Sequence, residues 1–175
     1  PDVRAGRESY GRQGFRDWLD DTMRKQFDGT SHHVGTTIIE LTGQDDAVAI
    51  LLALSSPDEI NVLGITAVAG NVPLALTAKN ARMICELAGK PHVPVYAGCD
   101  RPLGRDLVTA EHVHGKTGLD GPTLPEPEMQ LQDGHGVDFI IETLHSHPAD
   151  TVTLCPLGPL TNIATAFNKA PDVVE

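Results

Sequence analysis

Two periodicities alternate along the chain from Thr36 onward, and both predict buried secondary structure. Short runs of β-branched and other apolar residues, without polar alternation, predict buried strands. Longer apolar runs with helical spacing lie between them and predict helices. The predicted strands are 36–41, 61–68, 93–97 and 151–156, and the predicted helices are 46–55, 73–88, 136–147 and 160–168. This order predicts an α/β fold with a mostly parallel, doubly wound sheet and helices on both faces.

Residues 1–35 follow a different pattern and are predicted to form a separate segment. Phe15, Leu19, Met23 and Phe27 recur every four residues, which is typical of an amphipathic helix. The glycine- and histidine-containing stretch 29–35 then reads as a linker. We therefore expect a helical appendage and linker over 1–35 and an α/β domain over 36–175.

The charge balance excludes several classes of function. Thirteen Lys+Arg face twenty-four Asp+Glu, so the formal net charge is -11. We expect no nucleic-acid partner, because phosphate binding needs a basic surface, and no docking on anionic lipid. No stretch approaches the ~18 apolar residues that would span a bilayer, and no secretory signal is recognisable, so a cytoplasmic location is expected.

Cysteine usage points to reduced thiols rather than to a metal site. The three cysteines are widely spaced, and none forms a Cys-x-x-Cys pair. Cys85 and Cys155 fall in apolar runs and are predicted to be small core residues. The connection from Gly98 to Gly134 is unusually long for a compact domain, which indicates a functional loop or a lid.

Polar residues follow the predicted strands where each strand ends. Asp45 and Asp46 come after the first strand, Asn71 after the second, and the segment 98–101 (Gly-Cys-Asp-Arg) after the third; 157–159 (Leu-Gly-Pro) follows the fourth. In parallel sheets these ends share one edge, where ligands bind. One Asp caps the helix, or the pair belongs to a calcium site, although two carboxylates are too few for calcium alone. Asn71 caps the next helix, contacts a sugar hydroxyl, or does both.

Five segments together resemble one known family, the nucleoside hydrolases, which are calcium-dependent N-ribohydrolases that cleave nucleosides to ribose and base. No single segment is decisive, but all five occur in the family's order and spacing. They are 43–54 (Gly-Gln-Asp-Asp-Ala-Val-Ala-Ile-Leu-Leu-Ala-Leu), 65–71 (Ile-Thr-Ala-Val-Ala-Gly-Asn), 95–103, 112–122 (His-Val-His-Gly-Lys-Thr-Gly-Leu-Asp-Gly-Pro) and 153–164. The resemblance covers 36–175, which corresponds to the N-terminal half of a family member.

The resemblance implies roles for particular residues. Asp46 resembles a calcium ligand, and the backbone carbonyl of Leu157 matches a second one. Asp45 and Asn71 resemble contacts to the ribose hydroxyls, and His114 matches an auxiliary histidine near the site. The implied function is hydrolysis of the N-glycosidic bond of a ribonucleoside, through an oxocarbenium-like state. The sequence Gly-Leu-Asp-Gly-Pro at 118–122 is similar to that of pyrimidine-preferring members.

Two departures from the family pattern leave an alternative open. Leu41 occupies the position of the family's base and metal-ligand Asp, and leucine neither binds calcium nor accepts a proton. Glu40 lies one residue away and would replace that Asp only if the strand end slipped by one residue. The family's C-terminal half has no match, so a complementing half or a second copy of the chain is the expected partner. The alternative is an inactive ribose- or calcium-binding pseudo-enzyme or fragment.

Overall fold

A computed structural model describes residues 35–41, 44–121 and 123–174 of the chain. The predicted helix around Phe15–Phe27 and most of the linker lie outside the described residues. The strands are β1 Gly35–Leu41, β2 Ile60–Ala67, β3 Val95–Ala97 and β4 Val152–Cys155. The helices are α1 Gln44–Ser55, α2 Leu74–Leu87, α3 Glu111–His114, α4 Gly136–Ser146 and α5 Thr161–Lys169, followed by a 3-10 turn at Pro171–Val174. All the predicted strands and helices after Thr36 are present, with bounds shifted by one or two residues.

The four strands form one parallel sheet in the order β3-β2-β1-β4. From β1 the chain moves outward on one side, to β2 and then to β3, and it returns to place β4 on the other side of β1. The direction of winding therefore reverses between β1 and β4. In open α/β sheets such a reversal marks the crevice where ligands bind.

Helices cover both faces of this sheet, as the apolar strands predict. Helices α1 and α2 pack together on one face, and α4 and α5 pack together on the other. Ile38 of β1 is buried in a cluster with Val137, Ile140 and Ala166, which belong to α4 and α5. Ile39 points to the opposite face and is equally buried. The doubly wound α/β architecture is thus confirmed.

The cysteines confirm one prediction and contradict another. All three are free thiols. Cys85 is fully buried on α2, where burial, and secondarily the charge of Glu86, raise the pKa of its thiol to about 12. It is an inert core residue, as predicted. Cys155, predicted to lie in the core, is half-exposed, because among the described strands β4 lies at the margin of the sheet and pairs with β1 alone.

Gly64 occupies a position on β2 where a side chain has no room. A Cβ built there would lie 2.6 Å from Cζ of Phe139, whose ring stacks on Tyr96 at a centroid distance of 4.2 Å. We expect Gly64→Ala to displace the Phe139 ring and to lower the free energy of unfolding by about 1–3 kcal/mol, measured by urea denaturation. Gly104→Ala is the matched control, because a Cβ at Gly104 meets nothing within 4 Å. Equal stability of the two variants would contradict this account.

Candidate functional site

The carboxyl edge of the sheet brings three of the predicted site segments side by side. β1 lies in the middle, β2 leads to Asn71 on one side, and β4 leads to Leu157 on the other. β1 and β4 pair as far as Ile39 and Cys155, where β4 ends, and β1 continues to Leu41. Leu157 lies two residues beyond the end of β4. The reversal of winding lies at the same place. The topology therefore gathers at one point the segments that the sequence singles out.

Asp45 and Asp46 lie inside the first turn of α1, which begins at Gln44. Neither precedes the helix, so the interpretation of one Asp as the N-cap is wrong. A carboxylate in this turn is stabilised by the positive end of the helix dipole. The side chain of Asp46 is only 4 % exposed, although this residue type is almost never buried without partners. Asp46 is thus a buried acidic group at the reversal point.

Asn71 lies in the turn after β2 and does not cap α2. Pro73 holds the N-cap position, and its carbonyl accepts hydrogen bonds from the backbone N–H groups of Leu76 and Thr77. The capping interpretation of Asn71 is therefore wrong. The backbone carbonyl of Asn71 instead accepts a hydrogen bond from the N–H of Ala110, at 2.8 Å. This bond ties the start of α3, in the long connection, to the edge of the sheet.

His114 ends the short helix α3 and is half-buried, whereas His112 is exposed. A tight turn follows directly. The Asp120 carboxylate accepts hydrogen bonds from the hydroxyl of Thr117, at 2.6 Å, and from its N–H, at 3.2 Å. These bonds lower the pKa of the Asp120 carboxyl. A Cβ on Gly115 would lie 2.0 Å from that carboxylate, so the turn behind His114 is closely packed.

The second part of the long connection, residues 117–129, is bound to the outer side of α2, and we call it the strap. The buried Asn80 donates a hydrogen bond to the carbonyl of Thr117, at 2.8 Å. Glu86 accepts from the N–H groups of Glu128 and Met129, at 2.7 and 2.6 Å. Two further contacts are Lys79 with Glu126 and Arg82 with the carbonyl of Met129. The first part of the connection instead exposes Leu103, Val108 and Val113.

Asn162 is a buried residue of this edge that sequence reasoning missed. It lies in the first turn of α5 and is fully buried. Its Oδ1 accepts from the N–H of Cys99, at 2.8 Å, and its Nδ2 donates to the carbonyl of Ala67, at 3.1 Å. A Cβ on Gly98 would lie 2.3 Å from Oδ1 of Asn162. Asn162 thus joins the ends of β2 and β3 to α5. Only its polarity at the start of an apolar helix marks it in the sequence.

A cavity of about 850 Å³ opens at the same edge, but beside β3 rather than β1. None of Asp46, Asn71, His114 and Leu157 lines it. Its walls include residues from α2, α5, the segment after β3 and the start of α4, namely Leu74, Thr165, Ala97–Leu103 and Gly134–His135. The segment after β3 was expected at the site, whereas the contributions of α2, α5 and His135 were not. His135 caps α4, with Nδ1 accepting from the N–H of Val137 at 3.2 Å.

The oxygen donors described at the reversal point are too few for a calcium site. Calcium takes six to eight oxygen ligands. Asp46 and the Leu157 carbonyl are oxygen donors, but the last residue of β1, Leu41, has no side-chain oxygen. Among the side chains that the structure describes, which do not include those of Glu40 and Asp45, no three His, Cys, Asp or Glu groups are placed so as to hold a metal ion. The described residues alone therefore do not fit a complete calcium site.

The pairing at the end of β1 tests the slip of one residue that Glu40 would need in order to replace the Asp missing at Leu41. The one register shift between β1 and β2 lies between Thr37 and Ile38. Beyond it the pairing is regular, with Glu40 opposite Thr66 and Leu41 opposite Ala67. The backbone thus shows no slip at the end of the strand.

Among the helices of the described chain, none combines the length and the apolar character needed to cross a membrane.

Known proteins match this part of the chain. The family model described as inosine-uridine preferring nucleoside hydrolase matches residues 42–175. The inosine-uridine preferring nucleoside hydrolase of Crithidia fasciculata is 46% identical over 134 residues, which are 76% of this chain and 42% of that protein. The pyrimidine-specific ribonucleoside hydrolase RihA of Photobacterium profundum is 46% identical over 122 residues, which are 70% of this chain and 39% of that protein.

A solved structure agrees with these relatives. The purine-preferring ribonucleoside hydrolase from Gardnerella vaginalis superposes with a TM-score of 0.73 at 36% identity. The match covers 79% of this chain and 45% of that one. The chain thus spans less than half the length of the relatives it matches. On its sequence and its parallel sheet alike, the chain belongs to the inosine-uridine preferring nucleoside hydrolase family.

Proposed function

We propose that the chain functions in the hydrolysis of the N-glycosidic bond of ribonucleosides, and that its β1–β4 edge holds the ribose. The observation that carries this proposal is the convergence of the segments bearing Asp46, Asn71 and Leu157 at the reversal point of the sheet. A vicinal diol needs both donors and acceptors. The Asn71 amide supplies both, and the carboxylate of Asp45 accepts.

The charge at this edge suits the chemistry of bond cleavage. Glycosides are hydrolysed through an oxocarbenium-like transition state that carries positive charge. The buried carboxylate of Asp46, on the first turn of α1, places negative charge beside that position. His114 is proposed as an auxiliary residue, held near the edge by the hydrogen bond from Ala110 to Asn71. Leu41 offers no acceptor for the proton of an attacking water.

The residue at the end of β1 favours a second candidate function, ribose binding without catalysis. Hydrolysis needs a group that takes a proton from water, and Leu41 occupies the position where the resemblance to the family implies that group. The small number of oxygen donors described at the reversal point also favours binding without catalysis. In this candidate the fold and the sugar contacts are retained, whereas the chain itself releases no base.

For the base, we propose a preference for pyrimidine ribonucleosides. The support is the similarity of residues 118–122 to pyrimidine-preferring members, together with the 46% identity to the pyrimidine-specific relative. The relatives as a group carry several preferences. Uridine and inosine are therefore the two substrates to compare.

Binding of uridine, followed by ligand-observed NMR, tests the ribose site. We expect Asn71→Ala to weaken binding about tenfold, because it removes a hydrogen-bonding group worth about 1–1.5 kcal/mol. Asn61→Ala is the matched control, since Asn61 is exposed at the opposite end of β2. No uridine binding by the folded chain, or equal losses in both variants, would contradict the proposed site.

Release of reducing sugar from uridine and inosine, with calcium and with a chelator, separates the two candidates. The hydrolase candidate requires release of sugar, with a group other than Leu41 as the base, whereas the ribose-binding candidate requires that a folded chain that binds uridine releases none. Calcium-dependent release would show that another group serves as the base, and it would exclude the ribose-binding candidate.

A further inference from the structure

Residues 110–117, which we call the histidine loop, are anchored to the neighbouring structure at both ends. At the first end, the N–H of Ala110 donates a hydrogen bond to the carbonyl of Asn71, at 2.8 Å. At the second end, Nδ2 of Asn80 on α2 donates to the carbonyl of Thr117, at 2.8 Å. Both anchors belong to one continuous piece of chain, the turn after β2 and the helix α2 that follows this turn.

The second anchor combines the hydrogen bond with close packing. Gly118 lies against Asn80 and the fully buried Val72, the residue directly after Asn71. A Cβ on Gly118 would lie 2.9 Å from Cγ2 of Val72 and 3.3 Å from Nδ2 of Asn80, and the positive φ of 80° also favours glycine. Asn80 is only 3 % exposed, so its amide has little access to water in place of the Thr117 carbonyl.

The turn that follows His114 connects this residue firmly to the second anchor. Gly115, the next residue, packs against the Asp120 carboxylate, and that carboxylate accepts two hydrogen bonds from Thr117. On the other side, the N–H of His114 donates to the carbonyl of Ala110, at 2.9 Å. His114 is therefore held from both ends of the histidine loop.

We propose that Asn80 is a positioning residue of the ribose site, whose amide fixes the end of the histidine loop and so keeps His114 near Asn71. The inference rests on the proposed function for the part of His114 in nucleoside binding, but not for the anchoring. A loop that is already ordered loses less conformational entropy when a ligand binds, so the anchor increases affinity without touching the ligand.

The other contacts of the strap hold a different part of the chain. Lys79, Arg82 and Glu86 of α2 bind residues 126–129, far along the strap from the histidine loop. Among the described contacts between side chains of α2 and the strap, the one made by Asn80 lies directly beside this loop. The loss of Asn80 and the loss of Lys79 should therefore have different effects on His114.

Backbone ¹⁵N relaxation of the full chain tests the anchor. We expect Asn80→Ala to lower the order parameters of the N–H groups in 112–117 from about 0.85, typical of rigid backbone, to below about 0.6. Gly118→Ala should do the same with the Asn80 amide intact, because its Cβ pushes the turn away from Val72. Lys79→Ala is the matched control and should leave these values unchanged.

A double-mutant cycle on uridine binding tests the role in positioning. We expect Asn80→Ala and His114→Ala each to weaken binding about fivefold, the usual effect of losing one hydrogen-bonding group. The double variant should bind no more than about twofold more weakly than either, because a displaced His114 no longer contributes. A role of Asn80 in stability alone would make the two losses add.

The outcomes separate the anchor from the proposed function. Unchanged order parameters in both Asn80→Ala and Gly118→Ala would overturn the proposal, and so would additive losses of uridine binding. A folded wild-type chain that binds no uridine, or that binds it equally well after His114→Ala, would overturn the role of His114 in the proposed function. The positioning role would fall with it, even where the order parameters show that Asn80 anchors the loop.

Discussion

Asn162→Asp is expected to lower the free energy of unfolding by about 3–5 kcal/mol at pH 7. This is the usual cost of leaving a buried charge without a partner. The wild-type amide is fully buried and donates from Nδ2 to the carbonyl of Ala67. A carboxylate of nearly the same shape has no proton to donate. It therefore faces that carbonyl oxygen with negative charge, and the ends of β2 and β3 lose their common tie to α5.

The loss of stability in Asn162→Asp increases as the pH rises. Burial raises the pKa of the introduced carboxyl in the folded state above its unfolded value of about 3.9. Below that unfolded value the acid is protonated in both states, and its O–H donates to Ala67 as the amide did. As the pH rises toward the raised pKa, the variant loses up to about 1.4 kcal/mol per pH unit relative to wild type.

Urea denaturation between pH 4 and 8 measures this effect. Asn168→Asp is the matched control, because it makes the same change at an exposed position of the same helix. We expect the control to change stability by no more than about 0.5 kcal/mol. A stability difference between wild type and Asn162→Asp that does not change with pH would contradict the hydrogen-bond assignment.

Leu41→Asp raises calcium affinity at least about tenfold, because affinity in oxygen-ligand sites follows the number of charged ligands. Leu41 is the last residue of β1, in the middle of the sheet, and α1, which carries Asp45 and Asp46 in its first turn, begins three residues later. A carboxylate there adds the third acidic group to this edge. Isothermal calorimetry with calcium measures the change.

Val48→Asp serves as the control for added charge alone. Val48 is 55% exposed on α1, so the substitution adds the same negative charge away from the strand end. We expect it to leave calcium affinity within about twofold of wild type, since exposed charges in water interact weakly. Equal gains in both variants would mean that Leu41 does not lie at a metal position.

The architecture follows closely from the sequence, and physical reasons explain why. Apolar runs without alternation are required of strands buried on both faces, so the runs at 36–41 and 61–68 already indicate the sheet. The end of α2 is marked by Gly89, whose positive φ of 69° favours glycine. The edge that carries Asp46, Asn71 and Leu157 follows from parallel strands alone. The residues 1–35 and the site roles of individual side chains stay predictions.

Local sequence patterns do not predict contacts between residues that are far apart in the chain. Asn162 bonds to Ala67 across 95 positions of the sequence, and no periodicity encodes such a partner. The misplaced cap at Asn71 has a local cause. Pro73 starts the helix with its own carbonyl, so no side-chain cap precedes it. Cys155 is half-exposed because strand order, which sequence leaves open, puts β4 at the margin of the described sheet.

The two parts of the long connection differ in how well they tolerate insertions during evolution. The second part, the strap, is tied to α2 through Asn80, Arg82 and Glu86, so an insertion there would break several bonds at once. The first part, around Leu103 and Val108, lies exposed beside the cavity. Lengthening it costs mainly loop-closure entropy, about 0.6 kcal/mol for each doubling. Lineages can therefore diversify the residues beside the cavity while the sheet and α2 keep their geometry.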